Sequence, residues 1–315
     1  MVIALLFYYR DPSGILVFHF SCFNFHYLVR KILLIVFRHN FHTHTSYCDG
    51  SSSPEAYVKA ALDAGLLSMG FSGHAPVPME NGFAIRDDKA LKEYFSDIVS
   101  LREAYRKDIA IYLGLEVDYI PGITRPFGSF RENWPLDYII GSVHLVRNPE
   151  NKLWFIDGPD RSLWIDGLVI DYKGDVKKAV GDYYHQLCEM VEQQRPDIVG
   201  HLDKVKMHNH GAYFSEDEPW YKDLVMACLH SVLKTGCIVE VNTRGIYKKR
   251  SESLFPAPWI LKEMKQMGIA VTISSDAHKP EEIAMLLDVG SSALQAAGYS
   301  EAYVFTSNGW QAEAL

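Results

Sequence analysis

From Asn40 to the C-terminus, short apolar runs rich in β-branched residues alternate with longer stretches whose apolar positions recur at helical spacing. Residues 54–64 read as a helix, with Ser53 at the cap position and Pro54 in the first turn. The run 66–71 then reads as a buried strand. Residues 89–106 place Leu91, Tyr94, Phe95, Ile98 and Leu101 on one helical face. Strands are expected at 109–117 and 138–144, followed by a polar and aromatic stretch to Gly174. Helices at 177–194, 221–235, 258–267 and 281–297 alternate with strands at 197–201, 237–242 and 269–274, and 301–305 is read as a last strand. Such alternation implies parallel βα units, and seven or eight of them closing into a barrel fit the length.

The strand ends carry the chemistry. Side chains at i and i+2 of an extended strand share a face, so His42-Thr43-His44 and Asp276-Ala277-His278 each present two ligands to one spot. Between them, His74 follows one apolar run, Glu116 lies near the end of the next, and His144 and His201 close two more. In a βα barrel the strand C-termini converge on one face. A lone His or Glu after a strand is more often a loop or capping residue. The recurrence at successive strand ends is what makes the pattern specific. His19, His26, His185, His208, His210 and His230 fall outside it and are assigned surface or core roles, and His39, out of phase with His42, should face away.

Six histidines with Glu116, Asp276 and Asp49 exceed the coordination of one ion. Two to three divalent metals (Zn, Mn or Fe) are expected, with Glu116 bridging. Clustered ions suit phosphoester hydrolysis, because they acidify a water, orient it in line and neutralise the phosphoryl oxygens.

Composition narrows the partners. The chain has 315 residues, 48% of them hydrophobic and 22% charged, enough for a large core. A formal net charge of -8 weighs against a nucleic-acid partner. Five scattered cysteines without a C-x-x-C spacing favour reduced thiols in a cytoplasmic setting, and Cys48, beside Asp49, reads as packing. Residues 1–38 form a separate hydrophobic extension. Arg10, Asp11, Arg30 and Lys31 break it into runs shorter than ~18 residues, too short for a spanning helix. It also lacks the basic start and small-residue cleavage site of a signal peptide. It is expected to pack outside a functional domain of residues 39–315, as a strand-rich appendage or an upstream extension, with no membrane partner.

In order, His42-Thr43-His44 with Asp49-Gly50, Gly73-His74, Gly114-Leu115-Glu116, Gly141-Ser142-Val143-His144, Gly200-His201-Leu202-Asp203 and Ser275-Asp276-Ala277-His278 resemble the motifs of the PHP (polymerase and histidinol phosphatase) superfamily. The resemblance runs from about Asn40 to the C-terminus. It implies a distorted TIM-like (β/α)7 barrel, up to three metal ions, and ligation by His42, His44, Asp49, His74, Glu116, His144, His201, Asp276 and His278. With Glu240-Val241-Asn242-Thr243 and no polymerase module, the chain looks most like the histidinol-phosphatase branch. The basic segment 244–250 and residues 1–38 depart from the family pattern.

The expected activity is hydrolysis of a small-molecule phosphate ester, L-histidinol phosphate, to L-histidinol and phosphate in histidine biosynthesis. Glu116, Asp276 and His278 are the expected catalytic residues, with Arg244 and Lys206 as substrate-binding groups. Guanidinium suits a phosphate clamp because it forks onto two oxygens. Asp203 is expected to cap the next helix. The alternatives are a phosphodiesterase, nuclease or other phosphatase using the same metals, or a metal-binding module without activity. The sequence carries no reading of oligomeric state.

Overall fold

In the computed structural model, which describes residues 5–10, 16–21 and 37–315, contacts divide the chain into two units, Met1–Val36 and Phe37–Leu315. The first contains an antiparallel pair, β1 (Leu5–Arg10) and β2 (Leu16–Ser21), with Arg10 opposite Leu16. Cys22 and His26 lie outside the described residues.

The second unit is built on seven parallel strands: β3 (His39–Asn40), β4 (Ser68–Phe71), β5 (Ala110–Asp118), β6 (Tyr138–Ser142), then, after an insertion with the hairpin β7 (Leu145–Arg147) and β8 (Leu153–Phe155), β9 (Ile198–Val199), β10 (Ile238–Asn242) and β11 (Val271–Ser274). They pair in the order β3-β4-β5-β6-β9-β10-β11. The two edge strands meet beyond their ends. Thr43 bridges Ala277 in parallel, with the His44 N–H donating to Ala277 O at 2.8 Å and the Ala277 N–H to His42 O at 3.1 Å. That seam joins the two ligand pairs and completes a distorted seven-stranded barrel. Helices Pro54–Asp63, Asp88–Ala104, Val176–Gln194, Pro219–Thr235, Pro258–Met267 and Leu287–Ala297 surround it. Their apolar faces bury Leu91, Tyr94 and Ile98, or Tyr183, Leu187 and Met190, against strands such as Tyr138-Ile139-Ile140 that are buried throughout.

The barrel interior is filled from one side chain in particular. The Tyr138 hydroxyl donates to Phe41 O at 2.6 Å, and its ring occupies space that only glycine leaves on two neighbouring strands. A Cβ at Gly70 would stand 2.1 Å from Tyr138 Oη, and one at Gly114 would stand 2.6 Å from the ring. This is the close approach that glycine inside a strand permits.

Two expectations are corrected. The segment read as a last strand is one, β12 (Glu301–Thr306), but it pairs in a hairpin with β13 (Gly309–Ala314) outside the barrel sheet and does not continue the βα series. Gly309, with φ 84°, follows Asn308, a hairpin signal that outweighs the βα rhythm. Its Phe305 and Trp310 pack on Tyr138, Phe305 also meets Tyr112, and Glu313 reaches His39, so the hairpin covers the starts of the strands. The helix expected at 281–297 is split into a turn, Pro280–Glu282, and Leu287–Ala297, because Leu286 takes φ 58°. Among the described residues no helix is long and apolar enough to cross a membrane.

Candidate metal centre

The strand C-termini deliver their polar side chains to one buried cluster. Glu116, on β5 and 1% exposed, lies at its middle. Its Oε2 is 3.1 Å from His42 Nε2, 3.3 Å from His44 Nε2 and 3.3 Å from His74 Nδ1. Its Oε1 is 3.1 Å from His201 Nε2 and 3.5 Å from His144 Nε2. Asp276 Oδ1 lies 3.5 Å from His44 Nε2 and 3.4 Å from His278 Nδ1. Asp49, from the loop after His44, approaches His278 Nε2 at 3.2 Å and His44 Nδ1 at 3.4 Å. All nine residues expected to ligate therefore converge. Two of them have left-handed backbone, Asp276 with φ 52° and His201 with φ 20°. Non-glycine residues hold that conformation at a cost, and such positions gather at functional sites.

The cluster fits metal ions on its own chemistry. Among the described residues three overlapping sets have ligand atoms mutually within 4.8 Å: His44, Asp49, His74 and His278; His42, His44 and Glu116; and His74, Glu116 and His144. Among the described residues, His42 Nε2, His44 Nε2 and His74 Nδ1 are buried without a hydrogen-bond partner. Buried polar atoms are seldom left so, and a cation accepting their lone pairs satisfies them. The electrostatics agree. Burial pushes the His42 imidazolium down, yet Glu240, Asp276 and Glu116 outweigh it and hold it well above the usual histidine range. For His44 burial again opposes, while Cys48, Glu116 and Asp49 lift it to about 10. The carboxylates thus favour positive charge at this spot. His278 goes the other way, to about 4, through burial and its neighbours His44 and Arg244.

A second layer of carboxylates, which the motifs alone do not single out, orients the imidazoles. Glu240 accepts at Oε1 from His42 Nδ1 (2.5 Å) and from the Ser274 hydroxyl, and at Oε2 from the His201 N–H (2.8 Å) and Asn242 Nδ2 (3.1 Å). Asp118 Oδ1 pairs with His144 Nδ1 at 2.8 Å. Such partners fix the tautomer and aim the other ring nitrogen at the metal. Both were visible in principle. Glu240 interrupts an apolar strand, where an unpaired carboxylate is too costly, and Asp118 shares the face of Glu116 two residues on.

Other assignments shift. Arg244 opens a short helix, Arg244–Tyr247, and its Nη1 donates to Asp276 O at 2.6 Å, with His278 Nδ1 2.5 Å away. Lys206 is corrected: its ammonium pairs with Asp203 at 2.7 Å and Ser253 Oγ at 2.9 Å, away from the cluster. The 3-10 turn Lys204–Lys206 separates the two lysines around its axis, and Lys204 is the one directed to the site, 2.8 Å from Asp157. Asp203 accepts from the Ala257 N–H at the start of Pro258–Met267, a later helix than the one expected. Cys48 is more than packing, with Sγ 3.6 Å from His44 Nδ1. His39, bonded to Ser68 and Glu313, does face away. A cavity of about 410 Å³ opens over the cluster, floored by Asp49, His74, His144 and His278 and edged by Arg244, Lys248, Arg250 and Lys279.

The chain is similar to known proteins along most of its length. The chain is 30% identical over 249 residues to a Deinococcus radiodurans protein named Probable histidinol-phosphatase, a match covering 77% of this chain and 86% of that one. It is 27% identical over 256 residues to the Histidinol-phosphatase of Bacillus subtilis (strain 168), covering 77% and 94%. A crystal structure of histidinol phosphate phosphatase from Lactococcus lactis subsp. lactis Il1403, complexed with zinc, L-histidinol and phosphate, superposes with a TM-score of 0.64 at 20% identity, over 87% of this chain and 98% of that one. The PHP domain model matches residues 40–244, the span that holds seven of the nine converging side chains and the second-layer carboxylates. The chain belongs to the PHP domain family.

Proposed function

We propose that this protein is a metal-dependent phosphomonoesterase whose substrate is L-histidinol phosphate. The observation that carries the reading is Glu116, a buried carboxylate with five imidazoles within 3.5 Å, an arrangement that serves more than one cation. Two to three divalent ions (Zn, Mn or Fe) would be held by His42, His44, Asp49, His74, Glu116, His144, His201, Asp276 and His278. When bound, they supply an activated water and neutralise the phosphoryl oxygens. Glu116 and Asp276 hold the cluster together, and Glu240 and Asp118 keep His42 and His144 aimed. Arg244, fixed by Asp276 O and at the cavity edge, would clamp the phosphate. The names of the Deinococcus radiodurans and Bacillus subtilis relatives support the substrate, and the zinc in the Lactococcus lactis structure supports that metal.

The cavity's size suits a small ester and disfavours a nucleic acid, as does the net charge of -8. The test is phosphate release by purified protein, supplied with zinc or manganese, from L-histidinol phosphate, nucleotides and phosphotyrosine. Release should be fastest from L-histidinol phosphate by at least about tenfold, roughly 1.4 kcal/mol in the barrier. Equal rates on all three would remove the substrate assignment and leave a general phosphatase.

A further inference from the structure

The charges around the cavity are unevenly supplied. Its basic edge, Arg244, Lys248, Arg250 and Lys279, comes from the segments after β10 and β11. Among the described residues two carboxylates line it, Asp49 and Asp157, and Asp49 lies among the imidazoles of the metal cluster. Asp157 stands apart in origin. It belongs to the insertion between β6 and the helix Val176–Gln194, just after β8, beside Phe155.

That insertion is anchored for precision. Trp154 Nε1 donates to Trp164 O at 2.9 Å, and Trp164 Nε1 donates to Val205 O at 3.2 Å. Both indoles are buried, so the chain leading into Asp157 is tied to the barrel segment that carries Lys204. Asp157 Oδ2 takes the buried Lys204 ammonium at 2.8 Å and lies 3.6 Å from His144 Nε2. Among the described residues its Oδ1 is buried without a hydrogen-bond partner. Asp157 therefore neutralises Lys204 and still keeps 21% of its side chain exposed at the cavity, with an acceptor oxygen unused behind it. Phe155 and Phe83, the latter edge-on to His74 at 5.1 Å, give the same cavity apolar, aromatic surface.

We infer that Asp157 is a specificity residue that receives the ammonium group of a phosphorylated amino alcohol. The inference rests on the phosphatase reading and deepens it. In such an ester the ammonium is only two carbons from the ester oxygen, and Asp157 lines the same cavity with Oδ2 3.6 Å from His144 of the cluster, a separation that so short a spacer suits. The aromatic surface beside it suits a flat ring on the same carbon chain. A carboxylate there also disfavours esters whose tails are anionic or merely apolar.

The test compares L-histidinol phosphate with its deamino analogue, 3-(imidazol-4-yl)propyl phosphate, in the metal-loaded wild type and in Asp157→Asn and Asp157→Glu, with bound metal and unfolding midpoint measured for each. The wild type should prefer the amino ester. In Asp157→Asn the ratio of kcat/KM for the amino ester over the deamino ester should fall at least about tenfold, chiefly through KM, and Asp157→Glu should restore part of it. Loss of both activities in parallel, or loss of bound metal, would overturn the inference by making Asp157 a structural or metal-holding group. A wild type that hydrolyses both esters equally would overturn it while leaving the phosphatase reading intact. A wild type that hydrolyses neither removes that reading, and the inference with it.

Discussion

Replacing Glu240 by Gln changes one atom type and should still disable the metal centre. The two carboxylate oxygens of Glu240 serve four donors: His42 Nδ1, the Ser274 hydroxyl, the His201 N–H and Asn242 Nδ2. The site is 1% exposed, so water cannot stand in. An amide offers one acceptor oxygen and turns an N–H₂ toward donors at its other end. About two buried donors lose their acceptor, at roughly 1–3 kcal/mol each, which suggests a net stability loss of about 2–4 kcal/mol after relaxation. The second effect is on the metal. Glu240 keeps the proton on His42 Nδ1 and so leaves Nε2, 3.1 Å from Glu116, free for an ion. Loss of such a partner typically weakens metal affinity by about 10–100-fold. Urea unfolding of the chelated protein measures the first quantity, and competition with a chromophoric chelator measures the second. Wild-type metal affinity, with stability within about 0.5 kcal/mol, would refute the assignment of Glu240 as the residue that aims His42.

Three further outcomes follow from the packing and electrostatics. Gly70→Ala should destabilise by about 1–3 kcal/mol by pressing a methyl onto Tyr138, and adding Tyr138→Phe should recover part of the loss in a double-mutant cycle of thermal unfolding. Lys206→Met should lower stability by about 3 kcal/mol, because Asp203 loses its buried partner, while KM for the phosphate ester stays within about twofold. Steady-state kinetics beside urea unfolding separates these two effects. Burial pushes the His144 imidazolium down, but Asp118 and Glu116 outweigh it and raise it to about 9. Its contribution in metal-stripped protein is therefore complete below the unfolded histidine value near pH ~6.5 and is lost as pH rises through about 9. Melting curves in chelator should fall over that interval more steeply than curves of metal-loaded protein, and parallel curves would contradict the assignment.

Much of the site was legible because its signals are local. A His-x-His or Asp-x-His pair on a strand shares a face whatever the rest of the chain does, and alternating strands and helices bring strand ends to one rim. The apolar rhythm likewise marked the six outer helices, with one broken at Leu286 by a left-handed residue that no periodicity announces. The strand at 301–305 is present, but its hairpin partner is hidden because a short apolar run looks the same in a barrel strand and in a hairpin. Only the tight turn at Ser307-Asn308, closed by Gly309 with its positive φ, tells them apart. Lys204 and Lys206 are equally plausible in sequence, and a tight turn alone decides which meets Asp157 and which meets Asp203.

The sequence by itself determined the repeating βα plan and the residues able to bind metal, since both follow from period and residue type over a few positions. Tertiary structure decided what depends on pairs far apart in the chain. The seam between Thr43 and Ala277 makes one site of two ligand pairs, and Glu116 gathers five imidazoles from four segments. Glu240 bonds to a histidine 198 residues away. Distances of that kind are set by how the barrel closes, because side-chain chemistry is local while the geometry that combines it is a property of the whole fold.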